Sequence, residues 1–133
     1  MSQPSSKSLK STVAVVDDDV RVLESLADLL ESAGHGVRVF NSGQALLDDD
    51  HFTCIECVIT DIGMPGTDGF ELQRLARMRR PKLPIILITG RHEIADQQRA
   101  LTVIHHGFFR KPFDGKALLA AVGQALSAAN DHH

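Results

Sequence analysis

Residues 57–70 read CVITDIGMPGTDGF, and the order of residue types in this stretch decides the fold. A short apolar run ends on a carboxylate, Asp61, and is followed at once by Gly63, Pro65 and Gly66, which interrupt regular structure and make a loop. Asp68 then opens a helical pattern as its N-cap, with Glu71 at the capping-box spacing. Strand, loop and helix in that order, with no hairpin turn, make up half of a strand–helix–strand crossover. The alternation repeats on both sides. VAVV at 13–16, VRVF at 37–40, PIILIT at 84–89 and FFR at 108–110 are each followed by a helical pattern, which gives five strand–helix pairs. Asp19 stands as N-cap before Leu23, Leu26, Leu29, Leu30 and Ala33 at helical spacing, Gly34 is the stop, and Ser42 caps the next helix. Parallel strands joined by right-handed crossovers have both sheet faces covered. The expected fold is a doubly wound α/β domain on a five-stranded parallel sheet.

With 133 residues, 14.5 kDa and 43% apolar residues, the chain is the size of one domain with a proper core. We expect residues 1–11, MSQPSSKSLKS, to be a flexible lead-in, residues 12–130 the folded domain and residues 131–133 a short tail. The last helical pattern, 116–129, runs almost to residue 133, so no output domain is expected within these residues. A formal charge of -3 shows no excess of Lys and Arg of the kind that duplex DNA or an anionic membrane selects. Direct nucleic-acid binding and membrane association are therefore not expected, and with no signal peptide the expected compartment is the cytoplasm. Cys54 and Cys57 stand in C-x-x-C spacing with His51 upstream, yet a structural zinc takes four ligands, and here the second thiol leads into Val58-Ile59. They read as packed thiols at a strand entrance. None of the seven histidines shows metal-ligand spacing.

Open sheets of this kind bind ligands beyond the carboxyl ends of their strands, where the winding reverses. After strand one stand Asp17, Asp18 and Asp19; after strand three, Asp61; after strand four, Thr89 and Gly90; after strand five, Lys111 and Pro112. With strand order 2-1-3-4-5 the reversal falls between strands one and three, and Asp17, Asp18 and Asp61 surround one crevice. Carboxylates that close need a counter-charge, from a hard divalent cation, an ammonium, or both. Lys111 is the only cation at a strand end. Oxygen donors without His or Cys point to Mg²⁺ or Mn²⁺, and the chemistry that fits is phosphoryl transfer to a carboxylate nucleophile. Thr89 has a hydroxyl to offer a phosphoryl oxygen, and Gly90 leaves room beside it. Taken singly, each residue has a plainer role: Asp17 to Asp19 as a solvated turn with an N-cap, Thr89 as a strand-end hydroxyl, Lys111 as a snorkelling surface residue. Their joint placement at four strand ends favours a site.

Four motifs in this order, VDDD at 16–19, VITDIGMPGTDG at 58–69, ITG at 88–90 and KPF at 111–113, resemble those of response-regulator receiver domains. The resemblance covers residues 12–129, with spacings of 44 from Asp17 to Asp61, 28 on to Thr89 and 22 on to Lys111. It implies a flavodoxin-like or CheY-like sheet of order 2-1-3-4-5. It also implies that Asp61 is the phosphoacceptor, catalysing its own phosphorylation and dephosphorylation with Thr89 and Lys111. Asp18 and Asp61 would bind Mg²⁺ (or Mn²⁺), Asp17 largely through water, and Gly63 through its backbone carbonyl. Thr89 and Phe108 would form the switch pair, and a cis peptide between Lys111 and Pro112 would aim the lysine. The phosphodonor implied is a histidine kinase or histidine phosphotransfer protein, and a homodimer through the fourth helix, fifth strand and last helix is the assembly implied. The chain departs from the family at Ile104-His105-His106-Gly107 and at Arg91-His92, on or near that face. Two other functions are compatible with parts of this set. A haloacid-dehalogenase-like phosphatase would read Asp17-Asp18-Asp19 as its D-x-D, but needs a further acidic pair after Lys111 and a cap insertion. A pseudo-receiver would keep only the fold, against the intact set of Asp17, Asp18, Asp61, Thr89 and Lys111.

Overall fold

The computed structural model describes residues 11–64, 66–90 and 107–130, with side chains to residue 128. The strands are β1 Thr12–Val16, β2 Gly36–Phe40, β3 Cys57–Asp61, β4 Ile85–Thr89 and β5 Phe108–Arg110, all parallel, in the order β2-β1-β3-β4-β5. The expected doubly wound sheet of order 2-1-3-4-5 is the one observed. Helix α1 spans Val20–Ser32, α2 Gly43–Leu47, α3 Gly69–Arg79 and α4 Gly115–Asn130. The expected helix after β4, together with Arg91, His92 and Ile104 to His106, lies outside the described residues, as do residues 1–10 and 131–133. No described helix is long and apolar enough to cross a membrane.

Strand periodicity sorts the side chains into two layers. Val13, Val15, Cys57, Ile59, Ile86 and Ile88 point to one face and pack with Leu23, Leu26 and Leu30 of α1 and Leu118, Val122 and Leu126 of α4. Ala14, Val16, Val58, Ile85 and Leu87 point to the other and pack with Leu46 of α2 and Phe70, Leu72 and Ala76 of α3. β1, β3 and β4 are central, so they read as unbroken apolar runs rather than alternating ones. Burying one leucine of such a layer, Leu26 for instance, is worth about 2–5 kcal/mol against alanine.

The helix ends follow their capping residues. Asp19 accepts the Arg21 N–H at 2.9 Å, Ser42 the Ala45 N–H at 3.1 Å, and Asp68 the Glu71 N–H at 2.9 Å. α1 stops at Gly34, whose φ of 91° is the left-handed region that glycine enters freely. There the N–H groups of Gly34 and His35 close back on the carbonyls of Glu31 and Leu30, at 3.0 and 3.1 Å. α2 is shorter than its pattern suggests. Asp48, Asp49 and Asp50 follow Leu47, and negative charge at a helix C-terminus opposes the backbone dipole. The chain turns away instead, held by Arg38 on Asp49 at 2.9 Å, and makes a 3₁₀ turn over Phe52–Cys54 before entering β3.

Candidate functional site

Three strands bring charged groups to the same end of the sheet: Asp17 and Asp18 follow β1, Asp61 ends β3, and Lys111 follows β5. β1 runs out at Val16, and Asp17 follows with its N–H donated to the Phe40 carbonyl at 3.1 Å, which fixes the chain where it leaves the sheet. The Asp17 side chain is fully buried. Its Oδ1 accepts the Asp19 N–H at 2.9 Å and its Oδ2 accepts from Lys111 Nζ at 2.9 Å. Asp18, next in the chain, points outward and is exposed. Asp61, the last residue of β3, is 6% exposed. One carboxylate oxygen from each of Asp17, Asp18 and Asp61 lies within 4.8 Å of the others.

Lys111 reaches this cluster from just past β5, whose pairing with β4 is prolonged by the Lys111 N–H on the Thr89 carbonyl at 2.7 Å. Its ammonium stands 3.6 Å from Asp61 Oδ1, farther than from Asp17. The Lys111–Pro112 peptide is cis.

The charges perturb one another. Loss of water around Asp61, followed by the neighbouring Asp17 charge and, more weakly, Asp18, holds its carboxyl above the usual carboxylate range. Lys111 and the Gly63 N–H pull the other way and do not compensate. Burial works against the Lys111 charge, but its bond to Asp17 and the attraction of Asp61 outweigh that, and the ammonium is held above the usual lysine range. The two shifts are compatible because Lys111 gives its shorter contact to Asp17.

Thr89 ends β4 and is 1% exposed. Ile88 pairs with Asp61 in the β3–β4 register, so Thr89 sits one residue beyond the acidic cluster. Leu87 pairs with Phe108, and both pack on the α2–α3 side of the sheet, the side that strand alternation also gives Thr89. Phe108 is half-buried there.

The structure thus brings Asp17, Asp18, Asp61 and Lys111 into one cluster, with Thr89 at its border and Phe108 one strand over. Among the described residues the cluster has three hard oxygen donors and neither His nor Cys, a set suited to a small divalent cation such as Mg²⁺. Cys54 is exposed and Cys57 buried at the start of β3, and neither joins it. The reading of the sequence missed the packing around the loop after Asp61, where Gly43 and Gly69 meet its backbone and side chains. A signal existed: each glycine stands at the first position of a helix, directly after its cap residue.

Comparison with known proteins matches residues 13–123 to the response regulator receiver domain family. The transcriptional regulatory protein FixJ of Bradyrhizobium diazoefficiens is 35% identical over 120 residues, which cover 90% of this chain and 58% of that protein. The response regulator protein TodT of Pseudomonas putida is 35% identical over 119 residues, 90% of this chain and 52% of that one. A receiver domain protein from Clostridium thermocellum has the same fold, with a TM-score of 0.82 at 24% identity over 90% of this chain and 97% of that one. The chain spans a little over half the length of the curated relatives it matches.

These relatives correct one expectation. A set of partners without nucleic acid does not stand, because FixJ is a transcriptional regulatory protein and this chain matches only 58% of it. That expectation rested on net charge, which speaks only for the residues counted.

Proposed function

The chain belongs to the response-regulator receiver family, and from that premise we propose that Asp61 accepts a phosphoryl group and that the acyl phosphate is the signalling state. The observation that carries this reading is the meeting of Asp61 with Asp17, Asp18 and Lys111 at the carboxyl ends of β1, β3 and β5. In the ionised form an Asp61 carboxylate oxygen attacks phosphorus, an O–P bond forms, and the bond from phosphorus to the donor breaks with its electron pair leaving on the donor. Lys111 offsets negative charge on the phosphoryl oxygens, and the Thr89 hydroxyl donates to one of them. Asp18 and Asp61, with Asp17 through water and the Gly63 carbonyl, are the residues that would hold a divalent ion. When bound, that ion supplies charge neutralisation and orientation of the phosphoryl oxygens. Water attack on the same phosphorus reverses the modification, with the chain's own residues as catalyst.

The donor is the phosphohistidine of a kinase or phosphotransfer protein. Movement of Thr89 toward the new phosphoryl group, with Phe108 turning into the space it leaves, converts a local charge event into a change of packing on the α2–α3 side. The names of the relatives support a transcriptional output for the whole protein. The test is treatment with acetyl phosphate or phosphoramidate and Mg²⁺, read by intact mass. The expected outcome is the gain of one phosphoryl group that Asp61→Ala abolishes; full labelling of that variant would sink the reading.

A further inference from the structure

Gly69 is the first residue of α3, and it is buried, with its N–H donated to the Ile62 carbonyl at 3.3 Å. Glycine is a poor helix former, so its presence there calls for a reason other than propensity. A Cβ on Gly69 would lie 2.6 Å from the Asp61 carbonyl oxygen, 2.6 Å from Ile62 Cα and 2.9 Å from Ile62 Cγ2. The two nearest are backbone atoms, which cannot swing aside as the end of a side chain can. Any residue with a Cβ must therefore push the Asp61–Ile62 backbone away from α3.

The same loop is approached from α2. A Cβ on Gly43 would stand 3.2 Å from Thr67 Cγ2 and 3.4 Å from Leu72 Cδ1. By contrast, a Cβ on Gly123 in α4 would meet nothing within 4 Å. At Gly115, which opens α4, a Cβ would meet only the Leu29 side chain, at 3.3 Å, so among the glycines of the described helices a clash with backbone atoms is particular to Gly69.

We infer that Gly69 is a positioning residue for the acceptor site, an inference that rests on the reading of Asp61 given above. By letting the start of α3 close on the Asp61–Ile62 backbone, it sets where the Asp61 carboxylate and the Gly63 carbonyl stand relative to Asp17 and Asp18. The Asp61 Cα is bonded to the displaced carbonyl group, and Ile62 joins Asp61 to Gly63, so one push moves both sets of oxygens. Sites of this kind tolerate displacements of only about half an ångström.

The experiment compares the full chain with Gly69→Ala and with Ala76→Gly, which weakens the same helix at a buried position remote from the loop. Two quantities are read: the rise in thermal midpoint on adding Mg²⁺, and the rate of phosphoramidate labelling of Asp61. Binding to the folded state raises the midpoint by mass action, so this rise reports on the site independently of the stability of the variant. In Gly69→Ala the Mg²⁺-dependent rise should fall to less than half, and labelling should slow roughly tenfold or more. Ala76→Gly should lose stability yet keep both at wild-type values. Gly69→Ala that is folded, labels at the wild-type rate and keeps the full Mg²⁺ response overturns this inference alone. A wild type that takes no label brings down the acceptor reading and this inference with it. If Gly69→Ala is too unstable, it is remade with Gly123→Ala, where the added methyl is unopposed and favours the helix. Failure to fold even there makes Gly69 a folding residue and overturns the positioning role.

Discussion

Lys111 is hydrogen-bonded to Asp17 at 2.9 Å across 94 positions of sequence, while its distance to Asp61 is 3.6 Å. Among the described residues the one ammonium of the cluster is thus lodged on the neighbour of the proposed acceptor. Removing it leaves Asp17 and Asp61 facing each other in a buried setting, and takes away positive charge where the oxygens of a phosphoryl group on the proposed acceptor would gather. Lys111→Ala should slow phosphoramidate labelling by roughly 10²-fold, the scale seen when one preorganised charge or donor is lost from a site. Lys111→Arg should recover part of the rate, since it restores the charge but spreads it over a bulkier planar group. Labelling of the alanine variant at the wild-type rate would remove Lys111 from the chemistry.

Without a divalent ion, ionised Asp61 is expected to cost stability. Its folded-state carboxyl lies above the ordinary range, through burial first and the Asp17 charge second. For such a group the favourable contribution is complete below the unfolded value of about 3.9 and is lost as pH rises through the folded value. In the absence of divalent ions, Asp61→Asn should therefore have a higher thermal midpoint than the wild type at pH 7. The gap should close as the solution is brought below pH about 4, where the carboxyl is neutral in both states. Equal midpoints at neutral pH, measured in EDTA, would show that the Asp17–Asp61 repulsion is relieved by some other group.

Much of this arrangement was readable from residue order because strand ends announce themselves. Asp17, Asp61, Thr89 and Lys111 each stand at or just past the end of a strand pattern, and a parallel sheet puts all such positions at one end. The caps Asp19, Ser42 and Asp68 were readable for the same local reason. What the order of residues did not carry is the set of distances between segments far apart in sequence. Nothing in the composition says that Lys111 stands nearer to Asp17 than to Asp61. The helix pattern after Ser42 gave no sign that Asp48 to Asp50 would end α2 after five residues. Nor did it show that Arg79 and Arg80, at the end of α3, would reach back to the segment before β3. Gly69 was in view within its motif, yet its function lies in a contact with the Asp61 backbone that only the packed helix creates.

The two thiols should behave as unlike groups. Cys54 is exposed at the end of the 3₁₀ turn, whereas Cys57 opens β3 with its side chain in the α1–α4 layer. Burial pushes the Cys57 thiol up to about 12, so the reactive thiolate is scarcely populated at pH 8. Iodoacetamide at pH 8 should add one group to the native protein, at Cys54, and two after denaturation in guanidinium chloride. Peptide mapping of the native product checks the site. Rapid double alkylation, or a native Cys54–Cys57 disulfide, would contradict the packing of β3 described above.

Phe52 holds the segment between α2 and β3 in place. Its ring is 1% exposed, the Arg79 guanidinium lies 4.4 Å from its centroid, and the Arg80 guanidinium lies 5.7 Å away. The same arginines donate to backbone carbonyls around it: Arg79 to Leu47 at 2.6 Å, Arg80 to Phe52 at 2.8 Å, and Arg80 also to Ile55. Truncating the ring opens a cavity under α3 and removes the surface on which both guanidinium groups rest. Phe52→Ala should cost about 3–5 kcal/mol, the range for a buried aromatic. Phe52→Leu fills most of the volume but offers no aromatic face, and should cost roughly 1–2 kcal/mol. Urea denaturation followed by circular dichroism measures both. An alanine variant within 1 kcal/mol of the wild type, by that same approximate scale, would mean that the two arginines hold this segment through its carbonyls alone.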